Sequence, residues 1–333
     1  MMPPTRLAGG ARRRGALAAA RAGHRGGPVA PAGPGAPVAP RRALLLAGAG
    51  TLALAGRPAS AAEEEGDGFI PVAKLPRGVV EAELKEVRRA VLKVAKELYR
   101  GSAADVLQLI YLDSLSYDKE RKAGGCNGSI RFAEELKAAG REDLQSAVAD
   151  ITKVQAAASK LLNCEAPVSW ADTMVLVGYG AITSLLVDSI ASNAKSEADA
   201  NIALQGFGNS FPPPRLGRTD AAAPEPELLP PGAAASGEEI IAAFDRAGVL
   251  QGYAACLANM IGDVPEIEKK LTGISGKLDY YVKKYQQSRQ TFTQTTYQVD
   301  YARAYTKITS LGGNFDAEKY LYKFDKAKLK PGA

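Results

Sequence analysis

Apolar residues recur every three or four positions over most of the chain after residue 79, and no segment alternates apolar and polar residues for long. That spacing places apolar side chains on one face of an α-helix, whereas a half-buried strand needs a period of two. The clearest example spans 79–99 and consists of Val80, Leu84, Val87, Val91, Val94 and Leu98. The sequence therefore predicts an all-α fold.

Helix ends can also be predicted from the sequence. Ser102 and Ser236 each precede an apolar helical pattern and are predicted to begin helices, and Ser169 with Asp172 three positions later resembles a capping box that opens a buried helix. The last long pattern covers 277–311 and stops at Gly312-Gly313. Two segments should break the helices: the Gly-rich stretch 123–128 and a Pro- and Ala-rich loop over 206–237.

The first 61 residues have the composition of targeting segments. Residues 1–40 contain Arg, Ala, Gly and Pro but no acid, which is typical of an organelle transit peptide. Arg41-Arg42 then precede thirteen apolar residues and an Ala59-Ser60-Ala61 cleavage site, so 41–61 resembles a twin-arginine export signal. Together these segments predict the chloroplast thylakoid lumen, the alternative being an exported bacterial protein. The mature chain would be residues 62–333, a single helical domain.

Charge and histidine content exclude several functions for that mature chain. The leader holds nine of the 42 basic residues and no acid, so 62–333 has 42 − 9 = 33 basic against 36 acidic groups, a net charge of −3. A nucleic-acid partner is not expected without a basic folded surface. The only histidine is His24, within the leader. Residues 62–333 therefore lack imidazole for a nucleophile pair, a metal site or a proximal haem ligand.

Three cysteines allow at most one disulfide in this compartment. Cys126 lies in the Gly-rich stretch and is predicted to be exposed, whereas Cys256 between Ala255 and Leu257 is predicted to be buried. Whether Cys126 pairs with Cys164 or Cys256 stays open at this point. A basic, aromatic C-terminal segment after Lys319 could contact an anionic membrane, or its aromatics could pack on the core.

Four segments resemble plant ascorbate peroxidases, in the order in which that family has them. The most specific is YDKERKAGGCNGSIRF at 117–132, followed by EEL at 134–136. SWAD at 169–172, GRTD at 217–220 with the Pro-rich loop behind it, and residues 285–310 resemble three further family segments. The matches cover about 80–325. The resemblance implies the helical fold of a haem peroxidase.

The same alignment implies that the catalytic positions are lost. Gln108 stands where the family has its distal Arg, Tyr111 where it has the distal aromatic residue, and Leu112 where it has the acid–base His. The proximal position falls on Ile261 or Met260, where the family has the iron-ligating His. Peroxide cleavage needs a distal base, a cation and an axial ligand, so we expect no haem or other cofactor and no peroxidase activity.

A peroxidase body with these substitutions and a lumenal address resembles a non-catalytic, lumenal branch of the family. That resemblance implies peripheral contact with thylakoid membranes and an auxiliary or assembly role at photosystem II or its lumenal subunits. Two alternatives remain: a thiol-based peroxide-reactive protein using Cys126, and a binder of a small molecule in the vacated haem cavity.

Overall fold

A computed structural model of the chain describes residues 75–162, 167–291, 293–316, 319 and 320. The two predicted leader segments, 1–40 and 41–61, lie outside the described residues. So do Cys164 and the lysines of the C-terminal segment beyond Lys319.

Twelve α-helices make up the described part of the chain, and only two isolated β-bridges occur among those residues. The all-α prediction is confirmed. The helices are α1 (Arg77–Leu98), α2 (Ala103–Ser114), α3 (Ala133–Ala138), α4 (Gln145–Leu162), α5 (Trp170–Asn193), α6 (Glu197–Ser210), α7 (Gly237–Arg246), α8 (Gly252–Cys256), α9 (Ala258–Ile261), α10 (Val264–Leu271), α11 (Gly276–Arg289) and α12 (Thr295–Ile308).

Serine caps begin α2, α5 and α7 as predicted. The Ser102 hydroxyl accepts a hydrogen bond from the Asp105 N–H, and the Asp105 carboxylate accepts one from the Ser102 N–H, which makes a complete capping box. Ser236 and Glu239 form the same box at α7. Each box satisfies two N–H groups that the first turn of a helix would leave unpaired.

Helix α5 is the centre of the core, and α1, α2 and α4 pack against it. Helix α5 has 24 residues and contains an 18-residue window with a mean hydropathy of 1.7, which would suffice for a membrane span. Residues 170–178, however, are buried at every position inside the fold, with α2 on one side. At Gly178 the approach is so close that an added Cβ would lie 2.2 Å from Ile110 Cδ1. We therefore interpret α5 as the core helix of a globular fold.

The predicted loop 206–237 begins later than expected. Residues 206–210 continue α6, because a helix tolerates isolated glycines at a cost of about 1 kcal/mol each. The chain leaves the helix at Phe211, whose successor Pro212 disfavours the helical conformation before it. The Phe211 ring stacks on Tyr179 with ring centroids 5.2 Å apart.

The pattern at 277–311 forms two helices, α11 and α12, rather than one. Between the two helices, side-chain hydroxyls accept backbone N–H groups that a continuous helix would bond to its own carbonyls. The Ser288 Oγ accepts from the Tyr297 N–H at 3.0 Å, and the Thr291 Oγ1 accepts from the Gln294 N–H at 3.1 Å. Gln294 has a φ of 46°, which turns the chain. The tyrosine row continues across the break through an edge-on Tyr285–Tyr297 pair.

Candidate functional site

The positions that correspond to the distal side of a peroxidase lie on α2. Leu112 and Tyr111 are buried, with 3% and 2% of their surfaces exposed, and Gln108 is half-buried. The Tyr111 hydroxyl donates a hydrogen bond to the carbonyl oxygen of Pro231 at 2.9 Å, and burial raises the pKa of its phenol. The Pro-rich loop thus accepts the hydrogen bond of the Tyr111 hydroxyl, which is the only one of these three side chains with an acidic proton.

The positions that correspond to the proximal side lie on α9, which packs directly against α2. Met260 and Ile261 are buried in the same continuous apolar core as Leu112. The neighbouring Asn259 uses its Oδ1 to accept a hydrogen bond from the Tyr301 hydroxyl at 3.0 Å. An apolar core therefore joins the two helices at the positions where the resemblance places the catalytic side chains of a peroxidase.

These residues do not fit a haem group. Axial ligation needs a donor such as imidazole, thiolate, thioether or phenolate aimed at the iron. The sequence has no histidine besides His24, and Leu112 and Ile261 have no donor atom. Tyr111 is a neutral phenol bonded to a backbone carbonyl, and Met260 is enclosed by the core. No chemical step through haem can be derived from this arrangement.

The prediction that Cys126 is exposed was wrong, because its side chain is fully buried. The Gly-rich segment folds inward instead of looping into solvent. The Cys126 N–H donates to the Leu311 carbonyl at 2.7 Å, and the Gly125 N–H donates to the Ser116 hydroxyl at 2.8 Å. Burial raises the pKa of the Cys126 thiol to about 12. A thiol peroxidase needs an accessible thiolate, so nothing in this geometry favours that alternative.

A buried carboxylate that the sequence analysis missed draws this segment inward. Asp113, with no exposed surface, accepts hydrogen bonds from the Gly128 N–H at 2.8 Å and the Ile130 N–H at 3.1 Å. The Ser129 hydroxyl lies 3.4 Å from Asp113 Oδ1 and 3.2 Å from Glu135 Oε2. Burial raises the pKa of Asp113 to about 7 and also raises the pKa of Glu135. An Asp inside the apolar run LIYLDSL was the available signal.

The same cluster holds the Pro-rich loop. The Glu225 N–H donates to Glu135 Oε1, and the Arg131 guanidinium donates to the carbonyls of Gly128 and Ala221, each at 2.6 Å. Three segments distant in sequence are tied together by these bonds: the end of α2, the Gly-rich segment and residues 221–225. The most specific family motif, 117–132, therefore has a structural role here.

The SWAD and GRTD motifs form a second structural cluster. Asp172 pairs with Arg218 at 2.5 Å, and neither side chain is exposed. Asp172 Oδ2 also accepts from the Gly217 N–H at 2.7 Å, and the Arg218 guanidinium donates to the Thr309 carbonyl. Asp220 accepts the first free N–H groups of α5 at 2.8 and 2.9 Å. The two motifs bind each other.

This pairing corrects the interpretation of Ser169 and Asp172 as a capping box. Ser169 does cap α5, but the Asp172 carboxylate turns to Arg218 rather than back to the Ser169 N–H. The Ser169 N–H instead donates to the Tyr320 hydroxyl at 2.8 Å. Tyr320 is buried, so the first aromatic residue of the C-terminal segment packs on the core.

Of the remaining cysteines, Cys256 is buried as predicted, and both it and Cys126 are free thiols. Burial raises the pKa of the Cys256 thiol as well. Within the described part of the chain, no group of three or more acidic, cysteine or histidine side chains is arranged to hold a metal ion.

Comparison with known proteins agrees with this picture. A sequence model of the peroxidase family matches residues 85–260. The chloroplastic thylakoid lumenal 29 kDa protein of Arabidopsis thaliana is 29% identical over 259 residues, covering 76% of this chain and 73% of that protein. The protein of the same name from Solanum lycopersicum is 29% identical over 237 residues, 68% of each chain.

A solved structure matches as well. The crystal structure of the TL29 protein from Arabidopsis thaliana superposes with a TM-score of 0.64 at 28% identity, covering 74% of this chain and 99% of that one. The predicted peroxidase-like fold is confirmed, and the names of the relatives confirm the predicted location in the chloroplast thylakoid lumen. Because the family match spans more than half of its length, the chain belongs to the peroxidase family.

Proposed function

We propose that this chain is a non-catalytic peroxidase homologue that acts in the thylakoid lumen as an auxiliary or assembly protein of photosystem II. The observation that carries the proposal is the burial of Leu112 on α2, and of Met260 and Ile261 on α9, in one apolar core at the positions where the resemblance places the family's histidines. The structural motifs around this region are kept while the catalytic ones are replaced.

Peroxide cleavage would lack each of its parts here. A distal base must take a proton from the bound peroxide and return it to the leaving oxygen, and a cation must stabilise the developing charge. Leu112 cannot move a proton, and the Gln108 amide is neutral. The Tyr111 hydroxyl is bonded to the Pro231 carbonyl. We expect residues 62–333 to show no ascorbate-dependent peroxide turnover above that of free haem. Turnover that is saturable and proportional to protein would refute this part.

The role at photosystem II is supported by the lumenal names of the relatives and by the retained scaffold without its chemistry. A chain that resembles the family in its structural motifs but lacks its catalytic residues is expected to act through its surface. The test is co-sedimentation of residues 62–333 with purified photosystem II and, as control, photosystem I particles. Selective and saturable migration with photosystem II supports the role. Equal migration with both particles, or none with either, contradicts it.

The alternative of a small-molecule binder in the vacated cavity has no observation in its favour. The side chains at its two ends, Leu112 and Ile261, are 3% and 2% exposed and belong to one packed core.

A further inference from the structure

A groove of about 240 Å³ lies on the outer surface between α1, α5 and the start of α2. Its walls are mostly apolar, and small residues on α5 keep it open. A Cβ added to Gly180 would lie 3.0 Å from the Leu92 Cδ2, so even one methyl group would narrow the groove. The principal lining residues are Leu92, Ala95, Tyr99, Val177, Gly180 and Ala181.

Basic side chains border this groove along α1. Lys85, Arg89, Lys93 and Lys96 follow one another at spacings of four, four and three, so they share one exposed face, and Lys96 also lines the groove. At about 100° per residue, the four span roughly 80° of the helix, with the groove-lining Leu92 and Tyr99 next to them.

Three of the four acids of α1 lie to the other side; the fourth, Glu81, lies on the groove side of Lys85, about three turns before Leu92, and pairs with Arg77 at 2.8 Å. The same rotation places Glu83, Glu86 and Glu97 about 100–160° from Lys85. Arg89 reaches back to Glu86 at 3.3 Å, with both side chains more than half exposed, so that pair is weak. The surface beside the groove is therefore apolar at its floor and cationic at its edge.

We infer that this surface binds an anionic lipid of a membrane, with an acyl chain in the groove and the headgroup at Lys93 and Lys96. The inference rests on the proposed place of the protein at the lumenal face of the thylakoid and names the surface that contacts the membrane. Charge complementarity decides the class of lipid, since a zwitterionic headgroup offers the lysines no net attraction. The exposed Leu185, one turn of α5 beyond Ala181, extends the apolar surface at the rim.

The test is flotation of residues 62–333, which contain every contact described above, with phosphatidylcholine vesicles that lack or contain phosphatidylglycerol. The double variant K93E/K96E reverses the two headgroup contacts. The matched control K277E/K283E makes the same charge change at two exposed lysines of α11. A third variant, Ala181→Phe, fills the groove without changing charge. All five altered positions are exposed or half-buried, so circular dichroism should report native helix content.

We expect binding only to vesicles with phosphatidylglycerol, falling with added salt, and at least about tenfold weaker for K93E/K96E than for wild type. The control should bind like wild type, and Ala181→Phe should bind more weakly at unchanged charge. Equal losses in both double variants, unchanged binding by K93E/K96E, or equal binding to both kinds of vesicle would overturn the inference. The vesicles contain no protein, so failure here leaves the photosystem II and peroxide tests unaffected.

Discussion

Replacing Arg218 by Met should be among the most damaging single changes in the fold. The Arg218 guanidinium is fully buried and pairs with Asp172 at 2.5 Å. It also donates to the carbonyls of Arg215 and Thr309. Methionine would fill most of the volume and supply none of the donors.

The expected cost follows from what is left unpaired. Removing one partner of a buried ion pair costs about 3–5 kcal/mol because the other charge stays buried. The Thr309 carbonyl loses both of its guanidinium donors, which adds about 1–3 kcal/mol for an unsatisfied buried acceptor. These terms overlap, so we expect Arg218→Met to lower the free energy of unfolding by about 5 kcal/mol, out of roughly 5–15 kcal/mol for a typical domain.

A neighbouring arginine provides the matched control. Arg215 is exposed and lies over the Phe315 ring at 4.0 Å. Arg215→Met should cost about 0.5–1 kcal/mol, the usual value for an exposed cation–π contact. Urea unfolding followed by far-ultraviolet circular dichroism compares the two variants under the same conditions.

A second change separates charge burial from loss of packing. Asp172 Oδ1 faces the guanidinium, whereas Oδ2 accepts from Gly217 N–H, Arg218 N–H and Tyr320 hydroxyl. Asn at 172 can keep its oxygen on the second side and place its NH₂ on the first. The double variant D172N/R218M should therefore be more stable than Arg218→Met alone, by about 2 kcal/mol. If Arg218→Met costs no more than Arg215→Met, or if adding Asp172→Asn destabilises further, the reasoning is wrong.

Three more predictions concern Asp113, Cys126 and Gly312, which lie in or contact the region around the Gly-rich segment. Burial raises the pKa of Asp113 from 3.8 to about 7, so between those values the folded state holds a proton that the unfolded state has lost. This group should add stability as pH falls from 7 to 4, by up to about 1.4 kcal/mol per unit, so the free energy of urea unfolding of wild type should rise relative to that of Asp113→Asn across that range. Cys126, buried with a pKa of about 12, should react with a thiol reagent only after unfolding. Gly312→Ala should lower the free energy of unfolding, measured in urea, by about 3 kcal/mol or more. The added Cβ would lie 1.9 Å from the Gly124 carbonyl oxygen, and Gly312 has a φ of 61°.

Each of these has a contradicting outcome. If the free energy of unfolding of wild type does not rise relative to that of Asp113→Asn between pH 7 and 4, Asp113 is already ionised in the fold. Stoichiometric labelling of Cys126 in the native protein would mean that the Gly-rich segment opens. A Gly312→Ala variant as stable as wild type would mean that this contact relaxes freely.

Local signals predicted much of the fold. Ser102 and Ser236 mark real capping boxes because a cap is decided by residues three positions apart. The helix patterns were right wherever one face is apolar and the other polar. The last pattern ended too late, because α12 ends at Ile308 rather than at residue 311, and Gly312, with a φ of 61°, lies in the turn beyond the helix.

Contacts between distant residues explain what the sequence could not predict. Asp172 looked like part of a cap, but its partner Arg218 lies 46 positions away. Cys126 looked exposed because glycines surround it, but Asp113 on α2 binds the segment through its backbone N–H groups. The break between α11 and α12 was missed because the tyrosine spacing continues across it, while Ser288 and Thr291 redirect the hydrogen bonds locally.

The substituted catalytic positions stay a prediction from the resemblance, in which the motif at 117–132 fixes the alignment of α2 and leaves the proximal position at Ile261 or Met260. The sequence did not predict how these positions pack: α2 packs on α9, and the Pro231 carbonyl accepts a hydrogen bond from the Tyr111 hydroxyl.

The measurement that tests the central claim most directly is a ferric-haem titration of residues 62–333, followed by absorption from the ultraviolet through the Soret region. We predict the spectrum of free haem at every ratio, because Leu112 and Ile261 supply no ligand and fill the core. A sharp Soret band that saturates at one haem per protein would contradict it. Met260 and Tyr111 would then be the first candidates for the ligand.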